Sequence, residues 1–466
     1  MTFGGRSARQ AARSVPRMIR TLLALSMLTA PVPAAAPALS WEPCSGELRC
    51  ADVPVSVSPG GTRKITLKVA RLPATGVKRG TVMINFGGPQ GNQIAIMASR
   101  VRIFDRIRRS MDVVTWDPRG YPGLSTPVLP CDWSFLRTPD LPADQAALDR
   151  LAAGNRARAD RCRAADPELF DHMDSASDAR DADAIRRALG EERMNFIGTS
   201  YGGMIAQSYA RQFPRRIRTM YVDGTGNHAT RSWQRELDAI ARDSGGLMDR
   251  FFAWAQPGTE RRWRALIAAA DERPIPAPAA GAAYHGMHLR FLMFAKLRPG
   301  PDRWQEAAAA IEAAEAGDAS GFAPPGRNPY PGLPGGGVKE CLDHPRPAGQ
   351  RQLAATVERL DRIAPNLGAA FPLAWHAPLS CAGWPAPVAN PPAPLPRGLP
   401  PLLGAGTWQD FASTARVVRQ VPGSRTIAFD GPGHNLFAAM ANECVIGHVS
   451  TYVTTGRLPA RDTTCT

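Results

Sequence analysis

The chain has 466 residues, 44% hydrophobic and 21% charged, an ordinary globular balance that excludes a disordered or fibrous class. Its net charge of +15 includes five arginines near the N-terminus, and no basic run is interleaved with aromatics, so nucleic acid is not an expected partner. Beyond the N-terminal segment no stretch approaches the roughly 18 uninterrupted apolar residues of a spanning helix, so stable membrane insertion is not expected either.

The first element in chain order is a targeting pattern. Arg6, Arg9, Arg13, Arg17 and Arg20, with no acidic residue among them, precede the short apolar run Thr21 to Ala30 and then small residues suited to cleavage after Ala36 or Ala38. Residues 1–38 therefore read as a signal peptide. No Arg-Arg pair lies within residues 1–38, so the general secretory route is expected. The protein is expected to be exported, either periplasmic or secreted. Eight cysteines (Cys44, Cys50, Cys131, Cys162, Cys341, Cys381, Cys444 and Cys465) come in local pairs without C-x-x-C spacing. In an oxidising compartment the simplest of the many possible pairings gives four disulfides between sequence neighbours.

Strands are predicted at "ITLKVARLP" (65–73), "GTVMINFGGP" (80–89) and "MDVVTWDPRG" (111–120). A helix follows at "ARDADAIRRALG" (179–190), then the strand "MNFIGTS", the helix 202–213 and the strand "IRTMYVDG" (217–224). Continuous apolar strands alternating with helices predict an α/β fold whose parallel sheet is covered on both faces. From about Asn227 to Pro394 the pattern gives way to helical stretches and Pro/Gly-rich runs, read as an inserted, mainly helical cap. The sheet pattern returns with "PPLLGAG", the helix "FASTARVVRQV" and the strand "SRTIAFDGPGH". The expected organisation is a core over 39–226 and 395–466 with a cap over 227–394.

Gly198-Thr199-Ser200-Tyr201-Gly202 is G-x-S-x-G between a strand and a helix, the context of a nucleophile elbow. Glycines flank a tight turn that lifts the Ser200 hydroxyl above the sheet edge, at a helix N-terminus. A serine needs a base, and in this arrangement the chain order is serine, acid, histidine. His434, in a glycine-rich loop after the last predicted strand, is the expected base. Asp410 is the expected acid; the other reading is a cap for the helix that follows. Asp223 is the backup acid, and Asp430 lies too close to His434 in sequence. Two donors must hold a developing oxyanion: the amide of Tyr201 and one from "FGGPQG", with Gly88 favoured over Gly87.

These residues together resemble the exported bacterial branch of the proline iminopeptidase and tripeptidyl aminopeptidase family of α/β hydrolases. "GGPQG" resembles the family's G-G-P-G-G loop, "DPRGYPGLSTP" its D-x-R-G-x-G-x-S-x-P, and "GTSYGG" its G-x-S-Y-G-T. "WEPC", "ECLDHP", "LSCAGWP" and the final "CVIGHVSTYVTTGRLPARDTTC" resemble its cysteine-bearing segments. Gln90 replaces a loop glycine, and Phe86 stands where single-residue iminopeptidases carry histidine. In "GTWQDFAST" the aspartate is shifted by one from the family's acid motif and the proline is missing. The resemblance implies a Ser-Asp-His triad, no cofactor and no metal, with removal of short peptides or single residues from free N-termini. Such activity needs a carboxylate for the substrate ammonium. Glu236, Asp238, Asp243 and Asp249, near the start of the cap, are the candidates. A carboxylesterase with the same residues, acting on a small ester, is the first alternative. A hydrolase fold used only for binding is the second.

Overall fold

The computed structural model describes residues 39–88, 91–134, 136–326, 328–333 and 337–466. The expected signal peptide, 1–38, lies outside the described residues, as does Gln90 of the glycine loop.

Ten strands make one sheet: β1 (Glu42–Ser45), β2 (Leu48–Ser56), β3 (Lys64–Leu72), β4 (Gly80–Asn85), β5 (Met111–Trp116), β6 (Met194–Thr199), β7 (Ile217–Asp223), β8 (Leu403–Gly406), β9 (Arg425–Phe429) and β10 (Thr463–Cys465). Their spatial order is β1-β2-β3-β5-β4-β6-β7-β8-β9-β10. The first three form an antiparallel meander, and β3 also pairs antiparallel with β5. Every pairing from β5 to β10 is parallel. β5 and β6 are buried at every position, which is why they read as unbroken apolar runs. Successive side chains go to opposite faces: Phe196 and Met220 join one apolar cluster, Ile197 and Tyr221 the other. β1, β2 and β10 were not expected. In β2, exposed Arg49, Asp52 and Pro54 alternate with buried residues, a one-faced pattern at the sheet margin that polar residues and proline disguise.

The helices that matter for the site are α1 (Gln145–Arg163), α2 (Tyr201–Gln212), α3 (Trp233–Trp254), α4 (Gly286–Leu297), α5 (Val338–Asp343) and α6 (Phe411–Val418). Between β7 and β8 the chain is mainly helical and has its own apolar cluster, including Phe251, Trp263, Met293 and Leu360. That cluster also takes Leu148 from α1, and Leu136–Arg137 pairs with Gly332–Leu333. The insert thus recruits a segment that precedes the elbow in sequence, which the hydropathy pattern did not indicate. Disulfides join Cys44 to Cys50, Cys131 to Cys162, Cys341 to Cys381 and Cys444 to Cys465, the neighbour pairing expected. Among the described residues no helix is long and apolar enough to cross a membrane.

Candidate active site

Strand β6 runs straight into α2 through Ser200, whose φ of 55° and ψ of −124° are strained for a residue with a side chain. The turn closes only because its neighbours lack side chains. A Cβ on Gly198 would sit 2.5 Å from the Gly202 carbonyl oxygen, and one on Gly202 would sit 2.3 Å from that of Asn85. The Ser200 amide donates to the Asp223 carbonyl at 2.7 Å, tying the elbow to the end of β7.

Ser200 Oγ lies 2.9 Å from His434 Nε2, and His434 Nδ1 lies 2.7 Å from Asp410 Oδ2. The structure therefore brings the three residues into one hydrogen-bonded chain. Asp410 does stand at the N-terminus of α6, yet its carboxylate caps no helix amide. Its Oδ1 instead accepts from the Thr407 amide at 2.7 Å, with the Thr407 hydroxyl 3.0 Å away, so Oδ2 is aimed at the imidazole. In the same turn the Gln409 side-chain amide donates to the Gly433 carbonyl in the His434 loop. Asn435 (φ 63°) fastens the same loop to the elbow by donating to Thr199 Oγ1 at 3.0 Å.

The backup acid Asp223 and the excluded Asp430 are engaged elsewhere. Asp223 is fully buried behind the site and accepts from the Phe437 amide at 2.8 Å; burial pushes its carboxyl up to about 7. Asp430 accepts from the Trp408 indole at 2.9 Å.

For the oxyanion, Gly88 and Tyr201 line the same cavity as Ser200. The Gly87 amide is already taken by Asn85 Oδ1 at 2.9 Å, which removes it as a donor. Tyr201 opens α2, so its amide has no intrahelical acceptor. The glycine loop is clamped by Gln93, which accepts from the Phe86 amide at 2.8 Å and donates to the Gly87 carbonyl at 2.9 Å. Tyr201 is held from the other end: its hydroxyl donates to Asp343 Oδ2 at 2.7 Å. Asp343 belongs to α5, which Cys341 anchors by its disulfide, and it also accepts from Ser175 and Asn390. Burial lifts its carboxyl to about 6. Sequence reasoning missed Thr407, Asn435, Gln93 and Asp343; only the cysteine beside Asp343 marked its segment.

Over these atoms the insert closes a cavity of about 610 Å³, walled largely by apolar groups such as Met204, Ile240, Phe291, Phe294 and Phe371. Of the four carboxylates considered for an ammonium, Asp243 lines the cavity. It meets Arg416 Nη2 at 2.7 Å, and Glu236 reaches the same guanidinium at 3.1 Å while accepting from Asn227 at 2.9 Å. Two carboxylates sharing one cation leave a surplus of negative charge when both are ionised, and burial raises both. Asp238 is paired with Arg359 at 2.6 Å, and Asp249 is exposed; neither lines the cavity. Asp140, His285 and His288 could converge on a metal ion, but none of them lines this cavity; in the other such group, Cys444 and Cys465 are joined as a disulfide.

Residues 101–286 match the family described as alpha/beta hydrolase fold, and residues 370–465 the family described as TAP-like protein. A tripeptidyl aminopeptidase of Streptomyces lividans is 29% identical, over 93% of this chain and 87% of that protein. Carboxylesterase B of Mycobacterium tuberculosis is 28% identical over 93% of this chain and 91% of that one. Serine protease Hip1 of the same species is 30% identical over 47% of this chain and 44% of its own.

Proposed function

The chain belongs to the α/β hydrolases and carries a TAP-like C-terminal segment, and from that premise we propose that it is an exported serine aminopeptidase that cleaves amide bonds near the free N-terminus of peptides. The observation that carries this reading is the hydrogen-bonded chain from Ser200 through His434 to Asp410, opening into the insert's cavity. In this reading Ser200 Oγ attacks the substrate carbonyl as its proton passes to His434 Nε2. Asp410 holds the Nδ1 proton and stabilises the imidazolium. The amides of Gly88 and Tyr201 receive the oxyanion, a contribution of the kind worth ~2.7–4 kcal/mol per donor. His434 then gives its proton to the departing amine, and water releases the acyl group from Ser200.

Asp243, backed by Glu236 and Arg416, is the carboxylate in a position to receive the substrate ammonium. Export is supported by the four disulfides and the basic-then-apolar N-terminal pattern. The aminopeptidase and serine protease relatives agree with the peptide assignment; the relative named carboxylesterase B favours an ester substrate. Turnover of a tripeptide reporter amide with a free N-terminus, against the same tripeptide acetylated, separates the two. The expected result is a preference of about tenfold or more for the free amine. Equal rates, or turnover of simple esters alone, would move the protein to the esterases.

A further inference from the structure

Among the described residues, the cavity wall holds one arginine, Arg298, that pairs with no carboxylate. Arg298 follows the last residue of α4, whose Phe291, Leu292, Phe294 and Ala295 also face the cavity. Its side chain is half-buried and lines the cavity, yet it makes no hydrogen bond or ion pair with any described residue. Most other arginines around the site are engaged: Arg416 with Glu236 and Asp243, Arg359 with Asp238, Arg290 with Asp361. The position is close to the reacting atoms. A Cβ on Gly300, two residues along, would lie 2.7 Å from Pro432 Cγ, so the end of α4 abuts the loop carrying His434. Asp410, whose charge acts on Arg298, already has its oxygens directed to Thr407 and His434.

An unpaired guanidinium in an apolar wall is costly unless a ligand completes it. Arginine's planar fork matches a carboxylate in a two-point bond. We propose that Arg298 is a specificity-determining residue that binds a carboxylate of the substrate, so that the cavity selects short peptides carrying an acid group near the scissile bond. The proposal rests on the aminopeptidase reading and narrows it: Asp243 takes the amine at one end, and Arg298 takes an acid at the other. The acid has two possible sources, the C-terminal carboxylate of a short peptide or an acidic side chain within a longer one.

The test uses the full chain after export and three kinds of substrate: tetraalanine with a free C-terminus, its C-terminal amide, and the series of that amide with one alanine at a time replaced by aspartate. The expected result is that at least one acid-bearing peptide exceeds the neutral amide in kcat/KM by about tenfold or more, chiefly through KM. Preference for the free C-terminus identifies a terminal carboxylate; preference for an aspartate peptide identifies a side chain. Arg298→Gln should abolish the preference while leaving the neutral amide within about twofold, and Arg298→Lys should keep part of it. Equal rates on acid and neutral peptides in the unaltered protein would overturn the proposal. So would an Arg298→Gln that slows every peptide alike, which would instead mean that Arg298 serves Asp410. Failure to cleave any peptide would remove the aminopeptidase reading alone. The same contrast would then be read on p-nitrophenyl butyrate against p-nitrophenyl hemisuccinate. Calorimetric binding of the same peptides to Ser200→Ala needs no turnover. It must rank the acid peptides above the amide, and the absence of that ranking overturns the proposal whatever the reaction.

Discussion

The sheet and the insert place polar atoms in apolar surroundings by different means. In the sheet, each member of the proposed triad sits just past a strand end: Ser200 after β6, Asp410 after β8, His434 after β9. The parallel ladder fixes where those ends lie, and a few backbone bonds and glycines fix which way the side chains point. In the insert, the charged groups hold their places through partners far away in sequence. Asp243 and Glu236 depend on Arg416, and Asp343 reaches back to Tyr201. The reacting atoms are thus written locally on a rigid frame, while the groups that choose the substrate are assembled across the fold. Variation of the insert can change selectivity without disturbing the strand ends, as the functions of loops carried on a scaffold do elsewhere.

The largest effects should come from the strand ends. Ser200→Ala is expected to lower turnover by roughly 10³-fold or more, read as the rate on the best reporter amide. Asp410→Asn should cost ~10⁴-fold by leaving the imidazole in the wrong tautomer, whereas Asp223→Asn should leave turnover within about tenfold. Equal losses from the two aspartates would break the assignment of Asp410, because Asp223 has no hydrogen bond to His434 and is already pushed towards its neutral form by burial.

The same contrast explains what could be read in the sequence. Unbroken apolar strands, the glycines around Ser200 and the chain order of serine, aspartate and histidine are local signals, and the corresponding elements appear where those signals lie. β2 escaped because Asp52 and Pro54 interrupt its pattern while its buried residues still line one face. The tether from Asn435 to Thr199 joins residues 236 apart, and no local periodicity announces such a bond. Nor could four carboxylates on one stretch be told apart before α3 was folded against α6 and Arg416 came between Glu236 and Asp243.

A smaller and more selective effect is expected from the insert. Asp243→Asn should raise KM for free-amine substrates about tenfold to a hundredfold, and leave the acetylated analogue nearly unchanged. An equal loss on both substrates would make Asp243 a packing residue of the cavity wall and return the choice of amine ligand to the other carboxylates.

The smallest expected effect is on stability, and it follows from how deeply the insert buries its charges. Glu340, in α5, is fully buried, and neither carboxyl oxygen has a hydrogen-bond partner among the other described residues. Burial pushes its carboxyl up to about 8. A group whose folded value is raised favours the folded state below its ordinary, unfolded value and progressively loses that contribution as pH rises through the folded one. Between the ordinary glutamate range and about pH 8 the native chain therefore retains a proton that the unfolded chain has released, and it is destabilised as pH rises. Glu340→Gln keeps the shape and removes the titration. Its melting temperature should match that of the unaltered protein near pH 4.5, then exceed it by a margin of a few degrees that widens towards about pH 8. A margin that stays constant with pH would mean that Glu340 does not hold its proton in the fold. The segment that steadies Tyr201 would then owe its position to the Asp343 bonds and the Cys341–Cys381 disulfide rather than to a neutral interior.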